Sequence, residues 1–217
     1  RPLRQGVELT SGAKLALSPV SADAAARAKL AATKPLTKIL ELEKWEVTSI
    51  EQFNKDKQNL QDEVAAAQGE QRILERYNLA RFYFANRFAP ETLGVLAELK
   101  REEPEIENER EFRLIRGGAS YLMGRLSDAA SDFTHGSLDG SDEANFWRAA
   151  VVAEAGDLLA AAPTLTRVGV VTKKYPKQLK LQMGTLVADA AVEIGDIQSA
   201  KTYIKAMKKL KPDEAQL

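Results

Sequence analysis

The stretch Gly124-Arg125-Leu126-Ser127-Asp128-Ala129, with Phe133 four residues beyond its alanine, decides the fold because the chain repeats its pattern twice. Gly156-Asp157-Leu158-Leu159-Ala160-Ala161 is followed at the same distance by Leu165, and Gly195-Asp196-Ile197-Gln198-Ser199-Ala200 by Ile204. A glycine can take the positive φ that reverses the chain tightly after a helix. The Asp or Ser that follows can cap a second helix. The alanine lets the two helices approach closely, and the bulky residue one turn later fills the groove beside it. The glycines stand 32 and 39 residues apart, the spacing of an array of helix pairs.

An earlier copy lacks the glycine but keeps the frame. Leu79, Ala80 and Tyr83 fall on its first helix, Leu96 and Leu99 on its second, and Pro104 closes it, as Pro212 closes the last copy after Met207. Small residues recur at Ala80, Gly117, Ala149 and Ala188 on first helices and at Ala129, Ala161 and Ala200 on second helices. Over residues 72–212 this pattern resembles the tetratricopeptide repeat. The resemblance implies an all-α, right-handed α-solenoid of antiparallel helix pairs, about four irregular TPR-like repeats, preceded by extra N-terminal helices. It departs from the family pattern where Thr92 takes the small second-helix position and where Pro163 predicts a kink or a late helix start. The phrases from Glu111 to Ala161 also resemble helical-repeat portions of large, uncharacterised bacterial envelope-type proteins. That resemblance slightly favours a periplasmic or envelope-associated location over a cytoplasmic one and implies no activity.

Upstream, the organisation changes. Val7, Leu9, Leu15 and Leu17 alternate with polar or small residues around Ser11-Gly12, so residues 1–20 read as a flexible tail or a short hairpin. Residues 21–68 read as N-terminal helices packing on the solenoid: an alanine-rich helix from Ser21 to Ala32, a short one from Thr37 to Trp45 after Pro35, and a long one opened by Ser49. In the last of these, Ile50, Phe53, Leu60, Val64 and Ala67 recur at helical spacing, and Gly69 breaks it before the repeat domain of residues 69–217. The chain begins at Arg1 without an initiator methionine and reads as a piece of a longer protein.

Composition narrows the function classes. At 217 residues, 44% hydrophobic and 29% charged, the chain can bury a core without a disulfide or metal staple. Equal totals of 31 basic and 31 acidic residues give no global pull toward nucleic acid or an anionic membrane. With no cysteine and only His135 among histidines, thiolate and multi-histidine metal sites within one chain are ruled out. No apolar run approaches the roughly 20 residues of a transmembrane helix. No cofactor is expected.

Four features carry possible chemistry. His135 lies near Ser131, Asp132 and Ser137 in sequence, but a catalytic triad is assembled in space, and a histidine in a post-helix turn is the plainer reading. Gly117-Gly118-Ala119-Ser120 lacks the Gly-Lys-Ser/Thr pattern of a phosphate loop, so close helix packing accounts for Gly117. The acidic run Glu102–Glu107 reads as a solvated loop before a helix. The basic stretches Lys173–Lys177 and Lys205–Lys211 sit where cations suit helix ends.

In the family's frame the concave face falls on Tyr77, Arg81 and Phe84, then Leu114 and Tyr121, then Phe146. The resemblance therefore implies a protein–protein interaction scaffold and no enzyme, with a groove for an extended or helical peptide carrying apolar anchors. Only Arg81 among these positions is basic, which argues against capture of a C-terminal carboxylate. The alternative is a structural spacer or self-association region of a larger protein, motivated by the apolar stripe within 49–67, which must bury against something.

Overall fold

The computed structural model describes residues 36–210. The hairpin-or-tail reading of residues 1–20 and the helix expected from Ser21 to Ala32 lie outside them. Among the described residues the regular structure is helical throughout: α1 (Ile50–Ala66), α2 (Gly69–Ala85), α3 (Ala89–Glu102), α4 (Arg110–Leu122), α5 (Leu126–Phe133), α6 (Asp142–Glu154), α7 (Leu158–Val168), α8 (Lys177–Glu193) and α9 (Ile197–Lys208), with short 3-10 turns between some of them. No helix among them is long and apolar enough to cross a membrane.

Four helix pairs follow one another, α2 with α3, α4 with α5, α6 with α7 and α8 with α9, and each second helix also packs on the next first helix. This is a TPR-like all-α solenoid. The turn glycines reverse the chain as the sequence requires: Gly124, Gly156 and Gly195 have φ of +70°, +102° and +73°. The earliest turn has no glycine, and there Arg87 takes the left-handed conformation at φ +66°. Asp157 and Asp196 cap α7 and α9 by accepting the N–H of Ala160 and of Ser199.

The small-residue register also holds. A Cβ on Gly117 would stand 2.6 Å from the Phe133 ring, and one on Gly118 would run into the Phe84 ring, so bare backbone at these positions lets α4 sit against its neighbours. Leu96, Phe133 and Leu165, one turn after Thr92, Ala129 and Ala161, are all fully buried. Pro163 does not delay its helix: α7 starts at Leu158 under the Asp157 cap, runs past the proline, and gives way to a 3-10 turn at Gly169–Lys174.

Two expectations are corrected in detail. The acidic run is held by ion pairs rather than simply solvated, with Glu102 on Arg72 and Arg76 and Glu107 on Lys100 and Arg116. Residues Thr37 to Trp45 form no helix; only a 3-10 turn at Leu42–Lys44 interrupts an extended path. The backbone N–H groups of Thr37, Ile39 and Leu40 point to side-chain carboxylates on α6, more than a hundred positions away in sequence, instead of to carbonyls one turn back.

Most of the apolar stripe of α1 is used inside the chain, while Ile50 at its start is exposed. Phe53, Leu60 and Val64 pack with Phe82, Tyr83 and Phe88, and the Phe53 ring stacks on Phe82 at 5.0 Å and on Phe88 at 4.4 Å between centroids. Phe53, Leu60 and Val64 of the stripe that motivated a self-association reading of residues 49–67 are thereby buried or packed within one chain.

Candidate functional site

Tyr77, Arg81 and Phe84 lie on α2, Leu114 and Tyr121 on α4, and Phe146 on α6, all first helices as the repeat frame requires. Their side chains do not line an open groove. Tyr77, Phe84, Leu114, Tyr121 and Phe146 are buried in the main core. Arg81 is half-buried, stacked 4.2 Å from the centroid of the Tyr77 ring and joined to the Glu111 carboxylate by two bonds of 2.7 Å.

Two features share this core. The first is Trp147, fully buried on α6, whose ring meets those of Phe84, Tyr121, Phe133, Phe146 and Tyr175 at centroid distances of 5.6–6.5 Å. An indole at a first-helix position draws the inner aromatics of adjacent repeats into one cluster. The second is the segment Leu36–Val47. Leu40 and Leu42 are fully buried in the same core cluster, with Leu36, Ile39 and Trp45 packed against it.

The segment is held largely through its main chain. One carboxylate oxygen of Glu143 accepts the N–H of Ile39 at 2.5 Å and of Leu40 at 2.9 Å. The other accepts the Tyr175 hydroxyl at 2.6 Å, and that hydroxyl in turn accepts the Trp147 indole N–H at 3.1 Å. Asp142 takes the Thr37 N–H at 3.0 Å, and the Thr37 carbonyl accepts the Glu143 N–H at 3.2 Å. At the far end Asn86 reads both directions of the peptide group, accepting from Val47 N–H at 3.1 Å and donating to the Trp45 carbonyl at 2.8 Å. The Glu46 carboxylate accepts the N–H of Lys177 at the start of α8, at 2.6 Å.

Burial pushes the Glu143 carboxyl above the ordinary carboxylate range, an effect that its hydrogen bonds from Tyr175, Leu40 and Ile39 only partly offset. Its place in the first turn of α6 also favours negative charge there. Tyr175 is pushed well up by burial and by the adjacent Glu143 carboxylate, so its hydroxyl stays a donor.

The residues offered for catalysis are engaged elsewhere. His135 Nδ1 pairs with the Ser137 hydroxyl at 2.9 Å and caps a 3-10 turn. Asp132 is buried between Arg113 and Arg116 at 2.9 and 2.6 Å, so Ser131, Asp132 and His135 form no relay. Among the described residues no group of three or more His, Asp or Glu could hold a metal ion.

The candidate positions fall on first helices, but sequence reasoning gave no role to Glu143, Tyr175 or Asn86. The one available signal was chemical: a glutamate among Ala144, Phe146 and Trp147 at the start of a first helix is a charge beside core positions.

No family model matches the chain, and no curated protein does. Two solved structures are similar to it, both of nearly identical TPR-like repeats of a candidate kinesin light chain from Podosopora anserina. Each is 16% identical and covers 74% of this chain and 87% of its own, with TM-scores of 0.47 and 0.46.

Proposed function

We propose that the chain is a protein-interaction scaffold whose inner face grips an extended polypeptide, and that its own residues 36–47 occupy that face as an internal ligand. The observation that carries this reading is the double hold on the segment. Side chains of Glu143 and Asn86 take its backbone groups, and the core takes Leu40 and Leu42. Main-chain hydrogen bonds hold an extended peptide whatever its sequence, and apolar pockets for spaced side chains supply selectivity. Solenoids of stacked helix pairs are commonly binding surfaces and need no catalytic groups. Arg81 is committed to Glu111, so capture of a C-terminal carboxylate is not favoured.

The test is a fluorescent peptide with the sequence of residues 36–47, titrated into the unaltered chain and into a Leu40→Asp/Leu42→Asp variant. The peptide should bind the variant and bind the unaltered chain at least roughly tenfold more weakly, because the internal copy competes. A helical, cooperatively folded variant that ignores the peptide would refute the reading. Should the variant fail to fold, a protease site placed at Val47-Thr48 frees one end of the segment without changing its anchors. After cleavage, excess peptide should displace the released fragment while the helices stay intact, and a fragment that dissociates without being replaced would count against the proposal.

A further inference from the structure

Within residues 36–47, Thr37 is held through its N–H, its carbonyl and its hydroxyl together. Its N–H donates to the Asp142 carboxylate at 3.0 Å, and its carbonyl accepts the Glu143 N–H at 3.2 Å. Its hydroxyl accepts the Asp142 N–H at 2.8 Å. The same oxygen stands 3.2 Å from the Gly140 carbonyl and 3.3 Å from the Asp142 carboxylate, to either of which it can donate. A hydroxyl can donate and accept at once, and a methyl group can do neither. Thr37 is otherwise exposed, so serine would serve as well as threonine.

Ile39 and Leu40 are recognised by a different feature. Their consecutive N–H groups both go to one oxygen of the buried Glu143 carboxylate, and a proline at either place has no proton to give. Leu40 and Leu42 are 0% and 1% exposed while Glu41 between them is exposed, so two leucines one residue apart fill the core. The charges of the segment are answered within it, Lys38 pairing with Glu43 and Lys44 with Glu41. Those ion pairs form inside the segment and do not depend on the solenoid.

Resting on the function proposed above, in which this face takes a polypeptide from outside, we infer which polypeptide it takes. The partner protein presents the pattern Thr/Ser-x-x-Leu-x-Leu as an extended segment, with no proline at the third or fourth place. These are the places of Thr37, Leu40 and Leu42, with Ile39 third. Asp142 selects the hydroxyl, Glu143 selects the two free N–H groups, and the core selects the spaced leucines. Main-chain bonds supply the grip, and the hydroxyl and leucine sites supply the choice among partners.

The probes are peptides of residues 36–47, titrated into the full chain carrying Leu40→Asp/Leu42→Asp. An ester in place of the Leu40 amide removes one N–H without added bulk. That peptide and the Leu40→Ala peptide should each bind at least roughly tenfold more weakly than the native sequence. A Thr37→Val peptide should bind at least roughly threefold more weakly. Thr37→Ser should bind like the native peptide, and so should an ester at Glu41, whose N–H has no partner among the described residues. Adding Asp142→Ala to the chain should shrink the preference for threonine over valine and leave the preference for amide over ester at Leu40. If the native peptide binds but the valine, ester and alanine peptides bind as tightly, the pattern falls and the proposed function stands. If the native peptide does not bind, both fall. An undiminished threonine preference in Asp142→Ala overturns the role of Asp142. Dimers of the unaltered chain with exchanged segments would make the occupant a second copy and overturn the assignment to a partner protein. Should the variant fail to fold, the same peptides compete with the fragment released by cleavage at Val47-Thr48, and the same ranking is expected.

Discussion

Glu143 shows how one side chain can decide what a whole segment does. It sits in the first turn of α6, buried, and its carboxylate joins Ile39 and Leu40 to Tyr175. Burial raises its proton affinity in the folded chain above that of an exposed glutamate. The sign of the linkage follows. A folded-state pKa above the unfolded value means that the native chain takes up this proton first as pH falls, so the group adds stability toward acid and loses it as pH rises through the raised value. Stability of the unaltered chain minus that of Glu143→Gln should therefore grow as pH drops from neutral toward the ordinary carboxylate range, then level off. Denaturant melts of both proteins across that range would show it. A difference that is flat, or that shrinks toward acid, would mean that the carboxylate is not buried as described.

At the scale of the helix, the repeat phrase is a set of instructions for close approach, and two glycines test it in opposite directions. Gly117 on α4 meets the Phe133 ring of α5, so Gly117→Ala forces that ring to move and should cost about 1–3 kcal/mol. Gly94 on α3 has nothing within 4 Å of where its Cβ would be, so Gly94→Ala should stabilise by about 0.5–1 kcal/mol through helix propensity alone. Chemical denaturation of the two variants reads both, and equal effects would remove the packing account of Gly117. This part of the fold was legible because glycine, alanine and the bulky residue one turn later act locally. Even the turn without glycine kept its frame, because Arg87 could take the same backbone conformation. The Thr37–Trp45 stretch was not legible. Its helical spacing of Leu and Ile is real, but its backbone N–H groups find partners at Asp142 and Glu143, and no local pattern announces a contact across a hundred positions.

For the whole molecule, the candidate groove positions were legible as places on helices, and their exposure was not. Tyr77, Phe84, Leu114, Tyr121 and Phe146 lie on first helices, yet they are buried in one core cluster that Trp147, Leu40 and Leu42 share, and the Trp147 ring meets those of Phe84 and Tyr121. Exposure is a property of everything packed above a residue, and periodicity within one helix does not report it.

The central claim is that the solenoid holds its own residues 36–47 by their backbone. Hydrogen exchange at individual amides tests it most directly, because Ile39, Leu40 and Val47 donate to side chains and not to backbone carbonyls. The account predicts protection of these three amides in the unaltered chain, with Ile39 and Leu40 losing it in Glu143→Ala and Val47 losing it in Asn86→Ala, while α4 and α8 keep theirs. Exchange of all three at the rate of an unstructured peptide, in a chain whose helices are protected, would contradict it.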